Sequence, residues 1–337
     1  MEQRPLGRTG LTVSALGYGA GSIGGLMVRG DAAEQAAAVA RALAVGVTYF
    51  DTAPGYGDGR SEENLGRALH EAGAWGRVVV GTKVRLGPAD LADPAAAIRR
   101  SIEASLRRLG RDAVDLLQLH NPLAPAGAAA DAAEVASGRV LDVGVALAGV
   151  ADGLAAVVRD GLARHAGFTG LGDAAATGEA ARAGRFATVQ CYFNALNPSA
   201  GFAGAAGGGQ DFAGLIDTAA GAGLGVIAIR CLAAGALAAQ PDRHANAGDP
   251  GTPLAGGAEY QRDLARAGAV ARLAADAGLE GPLELALRFA LSKPGVSTAL
   301  VGYSDLPQLE SALRWAVRGP LPDDLARRVL DLARAAG

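Results

Sequence analysis

Three stretches carry the reading of the fold: Val47-Thr48-Tyr49-Phe50-Asp51, Val78-Val79-Val80-Gly81-Thr82-Lys83 and Asp115-Leu116-Leu117-Gln118-Leu119-His120. Each is a short, mostly apolar run bounded by turn formers, which reads as a strand buried on both faces. Amphipathic patterns follow the first two. One covers 61–70, with Ser61 as its cap; the other runs to 109 from Asp93-Pro94, an N-cap followed by a first-turn proline. Working outward, 12–18 reads as a strand after the Gly7-Arg8-Thr9-Gly10 turn, with 4–6 pairing to it as a hairpin, and 31–45 as a helix capped by Asp31. Downstream come a helix over 153–160 and strands over 164–168, 187–192, 225–230 and 296–301. Together with 47–51, 77–83 and 113–120 they make eight strands separated by helical pattern. That count predicts one closed parallel α/β barrel, a (β/α)8 TIM barrel with an N-terminal hairpin and extra C-terminal helices, as a single domain over 1–337.

Two stretches interrupt the rhythm on the carboxyl side of strands, 123–148 and 237–260. They read equally as binding loops or as surface insertions. The glycine run 201–209 has few side chains with which to pack and predicts a mobile loop. The last helical pattern, 322–336, is expected outside the barrel or across its base.

Composition narrows the function. Half of the 337 residues are apolar and the formal net charge is −3, which argues against a nucleic-acid binder. No apolar run approaches the roughly 20 residues needed to cross a bilayer, and Met1–Pro5 shows no signal-peptide pattern. With only Cys191 and Cys231, neither expected in a disulfide, a reducing cytoplasm is the expected compartment. The four histidines, His70, His120, His165 and His244, have no metal-ligand spacing, so no metal is expected. Nor does any Gly-x-Gly-x-x-Gly open a helix after a strand, which speaks against a doubly wound dinucleotide domain.

In a parallel barrel, neighbouring strands lie about 4.8 Å apart and their carboxyl ends share one mouth. Asp51, Lys83 and His120 end successive strands, and Tyr56 follows the first of them within Asp51-Thr-Ala-Pro-Gly-Tyr56-Gly. The chain has only one other lysine, Lys293. Alone, each residue reads as a cap, a packing group or a solvated charge; together they form a constellation able to move a proton.

The words around these residues resemble the aldo-keto reductase family over essentially the whole chain. Leu6-Gly-Arg-Thr-Gly-Leu-Thr-Val-Ser-Ala-Leu-Gly-Tyr-Gly19 is similar to the family's opening hairpin and first strand. Phe50 to Gly57 with Ser61-Glu-Glu-Asn-Leu-Gly66 resembles its main signature, and Ser297 to Glu310 its adenosine-phosphate loop and following helix. Within the family the bacterial branch of aldose 1-dehydrogenase-like proteins is the nearest likeness. The resemblance implies hydride transfer between a nicotinamide dinucleotide and an aldehyde, ketone or the corresponding alcohol, a sugar among the candidates. Tyr56 matches the general acid, since an isolated phenol is too weak an acid for this work at neutral pH and needs a cation beside it. Lys83 would be that cation, Asp51 would hold it, and His120 would orient the carbonyl oxygen as a neutral imidazole. Asn121 is an expected substrate contact.

For the dinucleotide, the resemblance implies Gly19, Ala20, Gly21 and Asp51 near the reacting end and Thr169 and Gln190 on the carboxamide. Gly170 stands where the family usually has Asn. Arg230 replaces a stacking aromatic, and Leu232, Gly235 and Leu237 fit the segment over the pyrophosphate. Gly302, Ser304 and Gln308 would meet the adenosine phosphate, with Arg243 as the cation for a 2′-phosphate. On prevalence in the family NADP(H) is the expected cofactor, and NAD(H) is the alternative because Gln308, Ser311 and Ala312 depart from the residues many members use at the adenosine end. Two other readings stand beside this one: a lyase forming a Schiff base on Lys83, and a cofactor-binding redox sensor like the potassium-channel β subunits of the same family. Substrate, direction and oligomeric state are not legible.

Overall fold

The computed structural model describes residues 1–127, 140–240, 242–250 and 259–336. Eight parallel strands close into a barrel: β1 (Leu16–Gly19), β2 (Tyr49–Asp51), β3 (Val79–Val84), β4 (Val114–Leu119), β5 (Ala163–Gly170), β6 (Thr188–Tyr192), β7 (Gly225–Ile229) and β8 (Val296–Gly302). Each pairs with its neighbour in sequence, and β8 pairs with β1 to complete the ring. This is the (β/α)8 TIM barrel expected.

The stretch 12–18 is not one strand. Thr12–Ser14 pairs antiparallel with Gln3–Pro5, and the chain turns at Ala15 into β1. The Ser14 hydroxyl donates 2.6 Å to the Leu16 carbonyl and eases that corner. Leu6, Leu11 and Val13 then enter the barrel base, where they pack with Tyr49, Val79, Leu116 and Ile227. An apolar plug therefore shuts one end, and the polar side chains gather at the other.

Helices cover the outside: α1 (Ala32–Ala44), α2 (Arg60–Glu71), α3 (Pro94–Leu109), α4 (Ala151–Arg159), α5 (Ala174–Arg182), α6 (Leu215–Gly221), α7 (Glu259–Asp276), α8 (Pro282–Ser292), α9 (Leu306–Val317) and α10 (Asp323–Arg334). Asp31 and Asp93 cap α1 and α3 as predicted, accepting from the Glu34 and Ala96 amides. Ser61 is not a cap. The cap of α2 is Gly59, at φ 90°, and the buried Ser61 hydroxyl instead donates to the Ala20 carbonyl at 2.7 Å. It ties α2 to the end of β1. Helix α10 lies outside the barrel, against α7 and α8.

The two long insertions both sit at the open end. Leu123–Ala124 and Leu141–Asp142 form a small parallel pair, and 128–139 lie outside the described residues. Of the second, 242–250 run along the ends of β1 and β8: the Gly248 amide donates to Ile23 at 3.0 Å and the Asn246 amide group to Ser304 at 3.0 Å. Residues 241 and 251–258 are outside the described set. The glycine run 201–209 is better anchored than its composition suggests. Phe202 packs near Phe193 and Phe289, and the Gly207 carbonyl accepts from Arg266 at 2.7 Å.

Candidate active site

Asp51 is the last residue of β2, and its carboxylate is almost completely buried (2% exposed). An unpaired charge there would be too costly to keep, and the neighbouring strands supply partners for both oxygens. Oδ1 takes Lys83 Nζ from β3. Oδ2 accepts from the Tyr49 hydroxyl at 3.0 Å, from Gln190 Nε2 at 2.8 Å and, more weakly, from Gln118 Nε2 at 3.4 Å. Lys83 also donates to the Thr52 carbonyl at 2.8 Å. Burial disfavours its ammonium, but the Asp51 carboxylate and the Tyr56 hydroxyl outweigh burial, and the pKa ends above the ordinary lysine value. The lysine is a fixed cation.

The loop after β2 brings Tyr56 back over the barrel, with Lys83 Nζ 4.9 Å from its ring centre. His120, following β4, meets that ring edge-on with centres 6.1 Å apart. Burial first, then the charges of Lys83 and Arg85, push the His120 pKa well below the usual histidine range. It is a neutral imidazole at physiological pH. A phenol and a neutral imidazole thus share the half-buried rim of the pocket, with a salt-bridged lysine beneath them. The arrangement can hand a proton to an oxygen placed between Tyr56 and His120 while spreading that oxygen's developing charge.

The residues expected around the dinucleotide divide into two groups. Gly19 lies where a Cβ would come within 3.1 Å of the Val301 carbonyl, and Gly21 faces Tyr56 across about 3.7 Å. Ala20 is buried beside them. Thr169, at the end of β5, is buried and its hydroxyl has no partner, a waiting donor of the kind a carboxamide needs. At Gly170 a Cβ would come within 2.6 Å of Leu215 Cδ2 and 3.1 Å of the Gln190 carbonyl. The Ser304 hydroxyl donates to the Gly24 carbonyl at 2.7 Å, and its backbone amide donates to Gln308 Oε1 at 3.0 Å. Gly302 beside it is exposed and packs near Gly19 and Gly24. Arg230 has left-handed backbone (φ 58°) and donates to the Pro250 carbonyl at 3.0 Å. Leu232 is half-buried, and Gly235 has φ 97°.

Two expectations, for Asn121 and Arg243, are corrected. Asn121 does not face a substrate: it is fully buried, and its side-chain amide donates to and accepts from the Leu86 backbone, both at 2.9 Å. It is a clasp for the loop after β3. The Leu237 side chain is buried in the core, so only its backbone is available to a ligand. Arg243 turns inward. Its Nη1 donates to the Ala234 carbonyl at 2.9 Å and the Tyr260 hydroxyl at 3.0 Å, and its Nη2 to the Gly248 carbonyl at 2.9 Å. That guanidinium ties the loop after β7 to itself and is not held out for a phosphate. Tyr49, missed from the sequence, stands two residues before Asp51 on the same face of β2, and period-two geometry was the available signal.

Cys191 and Cys231 are both buried and both free. Burial pushes the Cys231 thiol up to about 12 and the Cys191 thiol higher still. Among the described residues no group of His, Cys, Asp and Glu could hold a metal, and no helix is long and apolar enough to cross a membrane.

Comparison with known proteins bears on the family and the fold. The protein is 39% identical over 132 residues to the aldo-keto reductase YhdN of Bacillus subtilis (strain 168), covering 37% of this chain and 40% of that one. It is 36% identical over 137 residues to D-threo-aldose 1-dehydrogenase of Pseudomonas sp, covering 34% and 41%. These alignments span about two fifths of the relatives' length. The holo form of aldo-keto reductase AKR11C1 from Bacillus halodurans superimposes with a TM-score of 0.71 at 21% identity, over 99% of this chain and 97% of that one. The model of the Aldo/keto reductase family matches residues 15–333, and the chain belongs to that family.

Proposed function

We propose that the protein is a nicotinamide-dinucleotide oxidoreductase that interconverts an aldehyde or ketone, sugars among them, with its alcohol. The observation that carries this reading is the assembly of Asp51, Lys83, Tyr56 and His120 at one pocket. The bound dinucleotide supplies hydride. Thr169 and Gln190 would hold its carboxamide, Gly19 to Gly21 leave room for its approach, and Gly302, Ser304 and Gln308 would meet the adenosine end. The chain's own residues do the rest. His120 Nε2 or Nδ1 orients the carbonyl oxygen, the Tyr56 hydroxyl gives it a proton in reduction, and Lys83 stabilises the phenolate left behind. In oxidation the phenolate takes the proton back.

The expectation of NADP(H) rested on prevalence in the family, with Arg243 as the available cation, and the inward turn of that guanidinium takes the cation away. At the start of α9, Asp305 already accepts from the Gln308 amide at 2.8 Å, and Glu34 from the Leu306 amide at 3.1 Å. A 2′-phosphate there would meet two carboxylates, whereas a ribose hydroxyl could donate to one. These contacts support NAD(H). Dissociation constants for NADH and NADPH, followed by absorbance assays of both against aldehydes, ketones and sugars, test the proposal. Tighter NADPH binding would overturn the choice of dinucleotide. Binding without turnover on any carbonyl would overturn the oxidoreductase reading in favour of a sensor.

The Schiff-base reading has no such support. A lysine that is buried, ion-paired and held protonated is a poor nucleophile. The sensor reading has one finding in its favour: the chain is 39% identical over 127 residues to a probable voltage-gated potassium channel subunit beta of Oryza sativa subsp. japonica, covering 36% of this chain and 38% of that one. Bound dinucleotide oxidised once by a reactive aldehyde, without steady-state turnover, would favour it.

A further inference from the structure

We propose that Tyr49 is a positioning residue for the proton donor: its hydroxyl, acting on Asp51 from inside the barrel, sets how strongly Lys83 supports the Tyr56 phenolate. The inference rests on the reading of Tyr56 as acid and base given above. The Tyr49 hydroxyl donates to Asp51 and also interacts with Gln190, the second donor to the same oxygen.

Three observations carry it. First, the barrel is shaped around this side chain. Tyr49 is fully buried, and the strands on either side each present a glycine to it. A Cβ at Gly17 would come within 2.8 Å of Tyr49 Cδ1, and a Cβ at Gly81 within 3.0 Å of its hydroxyl oxygen and 3.4 Å of Asp51 Oδ2. Only with both strands bare at these positions can a phenol stand inside the barrel with its oxygen under the carboxylate.

Second, the surroundings of Tyr49 toward the base are apolar: it packs in one cluster with Leu6, Leu11, Val13, Val79, Leu116 and Ile227. Its hydroxyl finds its polar partners on the side of Asp51.

Third, the donors are divided between the two oxygens. Oδ1 is left to Lys83, and Oδ2 takes Tyr49, Gln190 and Gln118. Such a division fixes the carboxylate plane, so that the ammonium stays within reach of Tyr56 and is not drawn down into a two-oxygen grip. Burial first, then the nearby Asp51 charge, holds the Tyr49 pKa well above the ordinary phenol value, so Tyr49 remains a donor across the working range.

Without the Tyr49 hydroxyl, the negative field of Asp51 at Tyr56 is less compensated and the Tyr56 phenolate is less stable. Tyr49→Phe keeps the ring and removes only the donor. The expected result for carbonyl reduction is a kcat about tenfold lower and an alkaline limb of the pH profile about half a unit to one unit higher, as a weakened general acid requires. KM and the dinucleotide dissociation constant should stay within about twofold, because Gln190 keeps its bond to Asp51 when the Tyr49 hydroxyl is gone. A second arm needs no dinucleotide. The absorbance change of phenolate formation near 295 nm that is lost in Tyr56→Phe should appear at higher pH in Tyr49→Phe than in wild type. Should Tyr49→Phe not fold, Gln190→Met removes the other short donor to Oδ2, and the same titration is expected to move in the same direction. A limb and a titration that stay in place, whatever happens to kcat, overturn the proposal. A wild type without turnover refutes the oxidoreductase reading alone, and the titration still decides the role of Tyr49.

Discussion

Arg243→Ala tests whether this arginine is a phosphate ligand or a clasp. Three hydrogen bonds go with the guanidinium, to the Ala234 and Gly248 carbonyls and to the Tyr260 hydroxyl, at 2.9 to 3.0 Å. So does its contact with the Tyr260 ring, 5.7 Å from the ring centre. A bond from a charged donor contributes about 1.5–3 kcal/mol. The side chain, however, gives up about 2 kcal/mol of rotamer freedom to make them, and its buried Nε has no partner, which costs a further sum of about 1–3 kcal/mol. Three such bonds less these two costs leave a net loss of about 0–6 kcal/mol, centred on about 3, most of it local to the loop after β7. For a chain of this size that centre is a fall in melting temperature of roughly 4 °C, with an upper bound of roughly 9 °C, from an unfolding entropy of about 2 cal/mol/K per residue. Hydrogen exchange at 242–250 should accelerate far more than in the barrel strands. NADH and NADPH affinities should change by the same factor, because a guanidinium already bonded to Ala234, Gly248 and Tyr260 is not free to tell the two apart. Arg243→Lys should not restore the loop, since an ammonium cannot span three acceptors as a planar fork does. The reasoning fails if NADPH affinity falls tenfold or more while NADH affinity and loop exchange are unchanged.

The other expectations are quickly stated. Tyr56→Phe should lower turnover by at least about 100-fold with dinucleotide binding intact, as loss of a general acid predicts; Lys83→Met should do comparable damage, and single-turnover rates with an unactivated ketone check both. Because burial and then Lys83 and Arg85 depress the folded pKa of His120, its neutral form is favoured in the folded state. The stability it supports is present above the unfolded value of about 6.5 and is lost as pH falls through and below it; a melting-temperature profile between about pH 5 and 8 should therefore be flatter for His120→Gln than for wild type. Oxidant treatment should produce no mobility shift attributable to Cys191 and Cys231, buried thiols with raised pKa; a shift abolished by Cys191→Ala, with loss of activity, would show a redox switch.

The barrel and its constellation were legible because strand ends announce themselves. Asp51, Lys83 and His120 each close or follow an apolar run, and parallel topology alone brings such residues together. What stayed hidden is which way a polar side chain points once it is there. Asn121 sits one residue after His120, yet it clasps Leu86, and the chain order of the two residues carries no mark of that difference. Arg243 is an arginine on a loop at the expected end of the barrel, and only the positions of Ala234, Gly248 and Tyr260 show where its donors go. Ser61 precedes a helical pattern as a cap should, but the helix begins at Arg60, and the hydroxyl is used to hold Ala20. The one strand predicted over 12–18 became two because alternation runs unbroken through Ala15, while the corner is made by contacts to Glu2 and Ala299. Tyr49 passed as strand packing, since nothing in its neighbours records that Gly17 and Gly81 will flank it from other strands.

The plugged base has a consequence for the order in which the molecule can be built. Arg4 donates to the carbonyls of Val296 at 3.0 Å and Leu291 at 3.1 Å, and the Arg8 amide to Gly223 at 2.9 Å. Arg4 and Arg8 thus find these partners only when the segments from Gly223 to Val296 have been made, some 215 to 292 positions later. Until then Leu6, Leu11 and Val13 have no base to seal, and the half-built barrel exposes an unpaired β1 edge. Closure is a late, long-range step whose loop entropy is met all at once. Folding of this chain should therefore be limited by the docking of its beginning onto its end, and substitutions in the hairpin should slow refolding while leaving the chemistry at the opposite end of the barrel unchanged.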